Sequence, residues 1–174
     1  MFVEHTVETA PADSRRALQR IERQLGYVPA AAARLASSPH LLEGFQRLSG
    51  MFEQTTLEPV AREVVIMTVA VRNDCHVCVA MHSGKLSRLG ASRETVDALR
   101  ERRPLGDERL EAVRRFTLEV LDRAGAVGDG EIEDFLSHGH TEQNALEICL
   151  GIGAYTLSTF ANRLVRAPVD VPGQ

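Results

Sequence analysis

The stretch "EPVAREVVIMTVAVRND", Glu58 to Asp74, decides the fold class. From Val64 to Val71 every position but Thr68 is apolar. Such a run is buried on all sides, and periodicity alone does not distinguish a helix from a strand there. Its β-branched residues favour a strand. Its length and the proline at its start favour a helix, since proline suits the first helical turn. We read it as a helix.

The sequence on either side agrees. Upstream, "SPHLLEGFQRLSGMF" offers Ser38 as an N-cap and Pro39 in the first turn, with Leu41, Leu42, Phe45 and Leu48 as its apolar stripe. Before it, "PADSRRALQRIERQLG" places Leu18, Ile21 and Leu25 on one face and stops at Gly26. Downstream come "NDCHVCVAMHSGKLSRLG", "ASRETVDALRER" behind Ser92, "DERLEAVRRFTLEVLDRAG", "DGEIEDFLSHG" and "TEQNALEICLGIGAYTLSTFANRLV". No segment alternates with period two between hairpin signals. The chain reads as an all-α bundle of roughly eight helices in one domain, with its core at about residues 41–170. The first ten residues and the tail "APVDVPGQ" read as surface arms. "AREVVIMTVAV" also echoes "ALEICLGIGAY", with Glu63 over Glu147, as a duplicated half would.

Bulk properties narrow the function. A chain of 174 residues can bury roughly 70% of its unfolded surface, so it needs no disulfide or metal to fold. Net charge is −4 with the signs interspersed, which argues against nucleic acid and anionic membrane as partners. The longest uncharged apolar stretch, Ile148 to Asn162, falls short of the roughly 20 residues a membrane span needs. The N-terminus lacks a basic region followed by an apolar block, so no signal peptide is expected. Three cysteines do not make a secreted disulfide framework, and a cytoplasmic protein is expected.

The chemistry concentrates between Asn73 and Gly90. On a helix, Cys75, Cys78 and His82 fall at i, i+3 and i+7, one face that Leu86 and Leu89 continue. That face turns to the core, so two sulfurs and an imidazole point inward. A free thiol has a pKa near 8.5, whereas the thiolate is the nucleophile. The first helical turn, with its unpaired N–H groups, favours that thiolate. His82 can take the proton of Cys78, and a carboxylate makes such an imidazole a better base. Glu63, at the entry of the apolar helix, is the candidate carboxylate.

Plainer readings compete. Cys75 and Cys78 could be small buried residues, and His82 a satisfied half-buried histidine. Cys75, Cys78, His82 and Glu63 could form a four-ligand zinc site, although a second CxxC is missing and His138 and His140 could approach only through tertiary structure. A thioredoxin-type site needs a βαβ context that is absent. His76 is expected at the surface. Cys149, inside the last apolar helix, is expected to be inert packing.

Glu63, eleven intervening residues, Cys75, His76, Val77, Cys78, three residues and His82 together resemble the alkylhydroperoxidase D-like, or carboxymuconolactone decarboxylase, family. "LEPVAREVVIMTVAVRNDCHVCVAMHSGKLSRLG" is similar to that family's core. "EICLGIGAYTLSTFANRLVRAPVD" resembles the closing helix of its peroxidase-related members. The resemblance implies an all-α fold, homo-oligomers (trimers or hexamers) and no cofactor. It implies Cys78 as the peroxidatic cysteine, Cys75 as the resolving cysteine that closes a disulfide with it, and His82 with Glu63 as the proton relay. Three residues of separation at a helix start permit that disulfide, with Cα atoms about 5–6 Å apart. In the family's peroxidase a histidine directly precedes the second cysteine; here Val77 does, and His76 stands one place earlier.

Three functions follow as expectations. The first is a thiol peroxidase or disulfide reductase that takes a hydroperoxide and a dithiol or protein reductant. The second is a non-catalytic zinc-binding oligomer. The third is a decarboxylase or isomerase of a small acid, with His82 and Glu63 as acid and base. The helix from Asp13 to Gly26 and the segment after Pro29 could shape an entrance.

Overall fold

The computed structural model describes residues 2–170. Among them are nine helices and no strand: α1 (Ala12–Leu25), α2 (Ala30–Leu35), α3 (Pro39–Glu53), α4 (Pro59–Arg72), α5 (His76–Arg88), α6 (Arg93–Arg100), α7 (Glu108–Asp122), α8 (Asp129–Ser137) and α9 (Glu142–Leu164). The chain is all-α, and the deciding stretch is α4. The helix beyond the eight expected is α2, a short alanine-rich piece between Pro29 and Ser37 with too little periodicity to register in the sequence.

α4 is the axis of the bundle. It packs against α9, α5, α7 and α6, and every residue from Glu63 to Val71 is buried. This surround, not intrinsic propensity, keeps a run of β-branched residues helical. The one hydroxyl in the run is satisfied locally, Thr68 Oγ1 donating to the Val64 carbonyl at 2.7 Å. α9 lies against both α3 and α4. At the closest approach stands Gly151, where a Cβ would sit 2.6 Å from the Phe52 ring and 3.1 Å from Val65.

Caps define the other ends. Ser38 accepts from the Leu41 amide, Ser92 from that of Thr95, and Asp107 from that of Leu110. Thr141 and Asn144 form a reciprocal capping box at the start of α9. A second, smaller cluster holds α1 and α2 onto the C-terminal part of α9, through Leu18, Leu35, Leu42 and Val165.

The expected arms are not loose. Ala10 is buried, the His5 amide donates to the Ala33 carbonyl, and Glu4 pairs with Arg34. Asp170 accepts from the Ala30 amide; the rest of the expected C-terminal arm, residues 171–174, lies outside the described residues. Leu25 and Leu89, both placed on buried stripes by spacing, are 54% and 39% exposed, because each stands at the frayed end of its helix.

Candidate active site

The site is built around a corner. α4 ends in a Schellman turn: the Asp74 amide donates to the Val71 carbonyl and the Cys75 amide to that of Ala70. Asp74 takes the left-handed conformation this needs, at φ 50°. Arg102 braces the turn, donating to the Asp74 carboxylate at 2.7 Å and to the Val71 carbonyl at 2.8 Å. Cys75 is thus fixed twice, as the last residue of the turn and as the N-cap of α5.

Cys75 and Cys78 are joined as a disulfide, with Cα atoms 5.4 Å apart. Both are 1% exposed and pack on Ala70, the apolar contact a Schellman turn makes. Cys78 is in the first turn of α5, among the free N–H groups of the helix start. Its sulfur receives a hydrogen bond from Asn162 Nδ2 of α9, at 3.4 Å.

One turn beyond Cys78 stands His82, and its partner is Glu63. His82 Nδ1 lies 2.7 Å from Glu63 Oε2, with both side chains buried. The other oxygen, Glu63 Oε1, is 2.9 Å from Lys85 Nζ. Lys85 also pairs with Glu53 at the end of α3. Burial would raise the Glu63 carboxyl, but the hydrogen bonds and charges of His82 and Lys85 outweigh it and hold the group below its ordinary 4.5. Burial likewise pulls Lys85 down, and its bonds to Glu53 and Glu63 reverse this, leaving it above 10.5. An ionised Glu63 is acceptor-only, so Nδ1 carries the proton and Nε2 is the free basic nitrogen.

Tyr155 of α9 packs against the imidazole. Its ring meets the His82 ring edge-on, with centroids 5.4 Å apart and planes at 88°, and its hydroxyl lies 3.2 Å from Ser49 Oγ. Burial pushes the Tyr155 phenol up.

The structure therefore brings Glu63, His82, Cys75 and Cys78 into one buried region. His76 is exposed, as expected. Cys149 is not core packing: it is exposed on the outer side of α9, because only the opposite side of that helix meets α3 and α4. Glu147, the echo of Glu63, does a different job, accepting from Thr56 near the surface. Among the described residues no three His, Cys, Asp or Glu side chains converge as metal ligands. The sequence reading missed Lys85, Tyr155 and Asn162. Lys85 carried a signal, three residues from His82 on the same helical face; the other two come from a helix far along the chain.

A CxxC pair at the start of a helix thus stands one turn from a carboxylate-held imidazole in an all-α bundle. Residues 39–119, just under half of the chain, match the carboxymuconolactone decarboxylase family. The matched stretch contains Glu63, Cys75, Cys78 and His82. No protein of curated function matches the chain. Among solved structures, the alkylhydroperoxidase AhpD core of an uncharacterized peroxidase-related protein from Ralstonia eutropha JMP134 has a TM-score of 0.85 at 20% identity, over 97% of this chain and 91% of that one. An uncharacterized peroxidase-related protein from Silicibacter sp. TM1040 gives 0.80 at 16% identity, over 99% and 94%. The debrominase Bmp8 in complex with 2,3,4-tribromopyrrole gives 0.73 at 15% identity, over 92% and 87%. These likenesses show a shared fold.

Proposed function

We propose that the protein is a thiol-dependent hydroperoxidase that cycles between a Cys75/Cys78 dithiol and its disulfide. The observation that carries this is the buried His82–Glu63 hydrogen bond of 2.7 Å, one helical turn from Cys78. In the reduced protein, His82 Nε2 takes the Cys78 proton. The thiolate attacks the outer oxygen of the hydroperoxide and the O–O bond breaks. Cys78 becomes a sulfenic acid, and the departing alkoxide receives its proton from His82 and leaves as the alcohol. The Cys75 thiol then attacks the Cys78 sulfur, the S–S bond forms, and water leaves. An external dithiol exchanges with this disulfide and returns both thiols. The sum is one hydroperoxide and one dithiol converted to alcohol, water and the donor's disulfide.

A decarboxylase would use His82 and Glu63 but leaves the sulfur pair without a task. The same redox cycle suits a reducing compartment, and we place the protein in the cytoplasm on that ground. No helix among the described residues is long and apolar enough to cross a membrane.

We infer further that the working unit is a homo-oligomer paired through the outer side of α9. Leu146, Phe160 and Leu164 are 73%, 60% and 70% exposed there. The ends of this surface differ in charge, with Glu142 at one and Arg166 at the other. A second copy laid antiparallel sets acid against base. It also sets Phe160 into the open space over Gly153, where a Cβ would meet nothing within 4 Å. Such a two-fold contact occurs in a hexamer and not in a trimer alone. Sedimentation decides it: a lone 19.1 kDa species at micromolar concentration would exclude the pairing.

The test of the redox reading is peroxide consumption with a panel of dithiol donors. Cys78→Ser should lose at least about a hundredfold in rate, a general acid–base and nucleophile loss of ordinary size. Consumption by that variant at the wild-type rate would overturn the reading.

A further inference from the structure

The two sulfurs of the disulfide stand in different surroundings. Cys78 Sγ accepts a hydrogen bond from Asn162 Nδ2 at 3.4 Å, brought in on α9 from 84 residues along the chain. Cys75, the N-cap of α5, accepts no capping hydrogen bond at its sulfur. Cys75 instead borders a notch of about 200 Å³ between the start of α5 and the end of α9, and Cys78 does not border it.

The contact fixes which way the amide of Asn162 points. A disulfide sulfur carries no hydrogen, so only the NH₂ end can bond to it. Nδ2 also donates to Ser158 Oγ, again at 3.4 Å. Oδ1 is left buried with no partner among the described residues. A buried acceptor without a partner is costly, and a leucine of the same branched shape would avoid that cost. Stability of the fold therefore does not call for an amide at this position; the sulfur beside it does.

We propose that Asn162 is a catalytic residue of the thiol–disulfide cycle, holding Cys78 as the leaving thiolate so that the reductant attacks Cys75. The inference rests on the redox reading above and adds which sulfur is attacked and why. A hydrogen bond to a thiolate is stronger than one to a neutral sulfur, because the acceptor is charged. The Nδ2 bond therefore tightens as the disulfide opens. The donor's first thiolate enters from the notch and bonds to Cys75 Sγ. The S–S bond breaks, and its electron pair goes to Cys78 Sγ, which leaves as the thiolate that Nδ2 holds. The donor's second thiolate attacks the donor sulfur of the mixed disulfide, and Cys75 leaves with that bond's electron pair. The donor's two protons end on Cys75 Sγ and on His82, one turn from the Cys78 thiolate. The donor departs as a disulfide, and the same Nδ2 bond then presents Cys78 as a thiolate to the hydroperoxide.

Three readouts test this, and none of them uses peroxide. The variants are Asn162→Leu and Asn162→Ala. Both remove the donor; the first fills the place of the amide and the second leaves a gap. In the reduced protein, iodoacetamide at pH 7 should alkylate Cys78 about threefold to tenfold more slowly in both, as the loss of one hydrogen bond to a charged group predicts. In dithiothreitol redox buffers, both should shift the ratio of dithiol to disulfide toward the disulfide by a similar factor. In the wild type, a brief pulse of 2-mercaptoethanol quenched with N-ethylmaleimide should leave mercaptoethanol on Cys75 and maleimide on Cys78, as read by tandem mass spectrometry. Agreement between the two variants separates the hydrogen bond from packing, which they disturb in opposite senses. If one variant does not fold, the other carries the test. Unchanged alkylation and redox ratio, opposite changes in the two variants, or mercaptoethanol found on Cys78 would each overturn the assignment. A wild type that meets these readouts but consumes no peroxide upholds Asn162 and sinks only the peroxidase reading; one that consumes peroxide without meeting them does the reverse.

Discussion

Lys85 Nζ sits 2.9 Å from Glu63 Oε1, on the carboxylate oxygen that His82 leaves free. One buried carboxylate is therefore held by two nitrogen donors, and each of its oxygens has a separate partner. Lys85 is a positioning residue: it acts on the imidazole through Glu63. Replacing it by Met removes one of the groups that hold Glu63 below 4.5, so the carboxyl titrates at higher pH. The acid limb of kcat/KM should move upward, while the rate at pH 8 should fall less than tenfold. A pH profile superimposable on that of wild type would count against the role.

Glu63→Gln tests the partner. An amide cannot hold the Nδ1 tautomer as a carboxylate does, and activity should fall about 10²- to 10⁴-fold. Stability should change with pH as well. The Glu63 carboxyl is lower in the folded chain than in the unfolded one, so its contribution is present above about 4.5 and is lost as pH falls through the folded value. Urea melts at pH 7 and pH 4 should show wild type losing more stability across that interval than the variant.

The thiols should respond in order. One equivalent of peroxide should leave Cys75 and Cys78 linked and Cys149 free. Cys149 lies on the outer side of α9, and partial burial holds its thiol above 9.0, so little thiolate is present at neutral pH. Cys75→Ser should leave a sulfenic acid on Cys78 that dimedone traps. Peptide mass spectrometry that finds Cys149 oxidised and the pair reduced would end the mechanism.

Gly151→Ala should destabilise. The added methyl meets the Phe52 ring at 2.6 Å, and that ring is fully buried. Overpacking costs about 1–3 kcal/mol and exceeds the helix-propensity gain of about 1 kcal/mol. A net loss of about 1 kcal/mol in thermal or urea melts is expected, and a stabilised variant would contradict the close approach of α9.

Local signals were legible where local chemistry decides. Ser38 and Ser92 cap their helices, and the apolar run after Glu63 is a helix, as its length and proline start indicated and as the helices packed around it enforce. Glu63 could be paired with His82 because one stands just before the apolar run of α4 and the other lies on the sulfur face of the next helix. Asn162 was invisible for the opposite reason. It lies 84 residues from Cys78, and only the packing of α9 against α4 brings it there. Cys149 was misplaced because an apolar helix looks covered on all sides in sequence, while α9 is covered on one.

The Schellman corner at Asp74 and Cys75 acts as a phase lock between two helices. Nineteen residues separate Glu63 from His82, and the turn has no slack to absorb an extra one. Inserting a single residue after Arg72 would advance α5 by about 100° around its own axis. Both helices would survive, yet the imidazole would leave the carboxylate and the sulfurs would leave Ala70. The spacing between α4 and α5 is thus as much a part of the chemistry as the side chains, and drift in loop length is forbidden here while it is tolerated elsewhere on the surface.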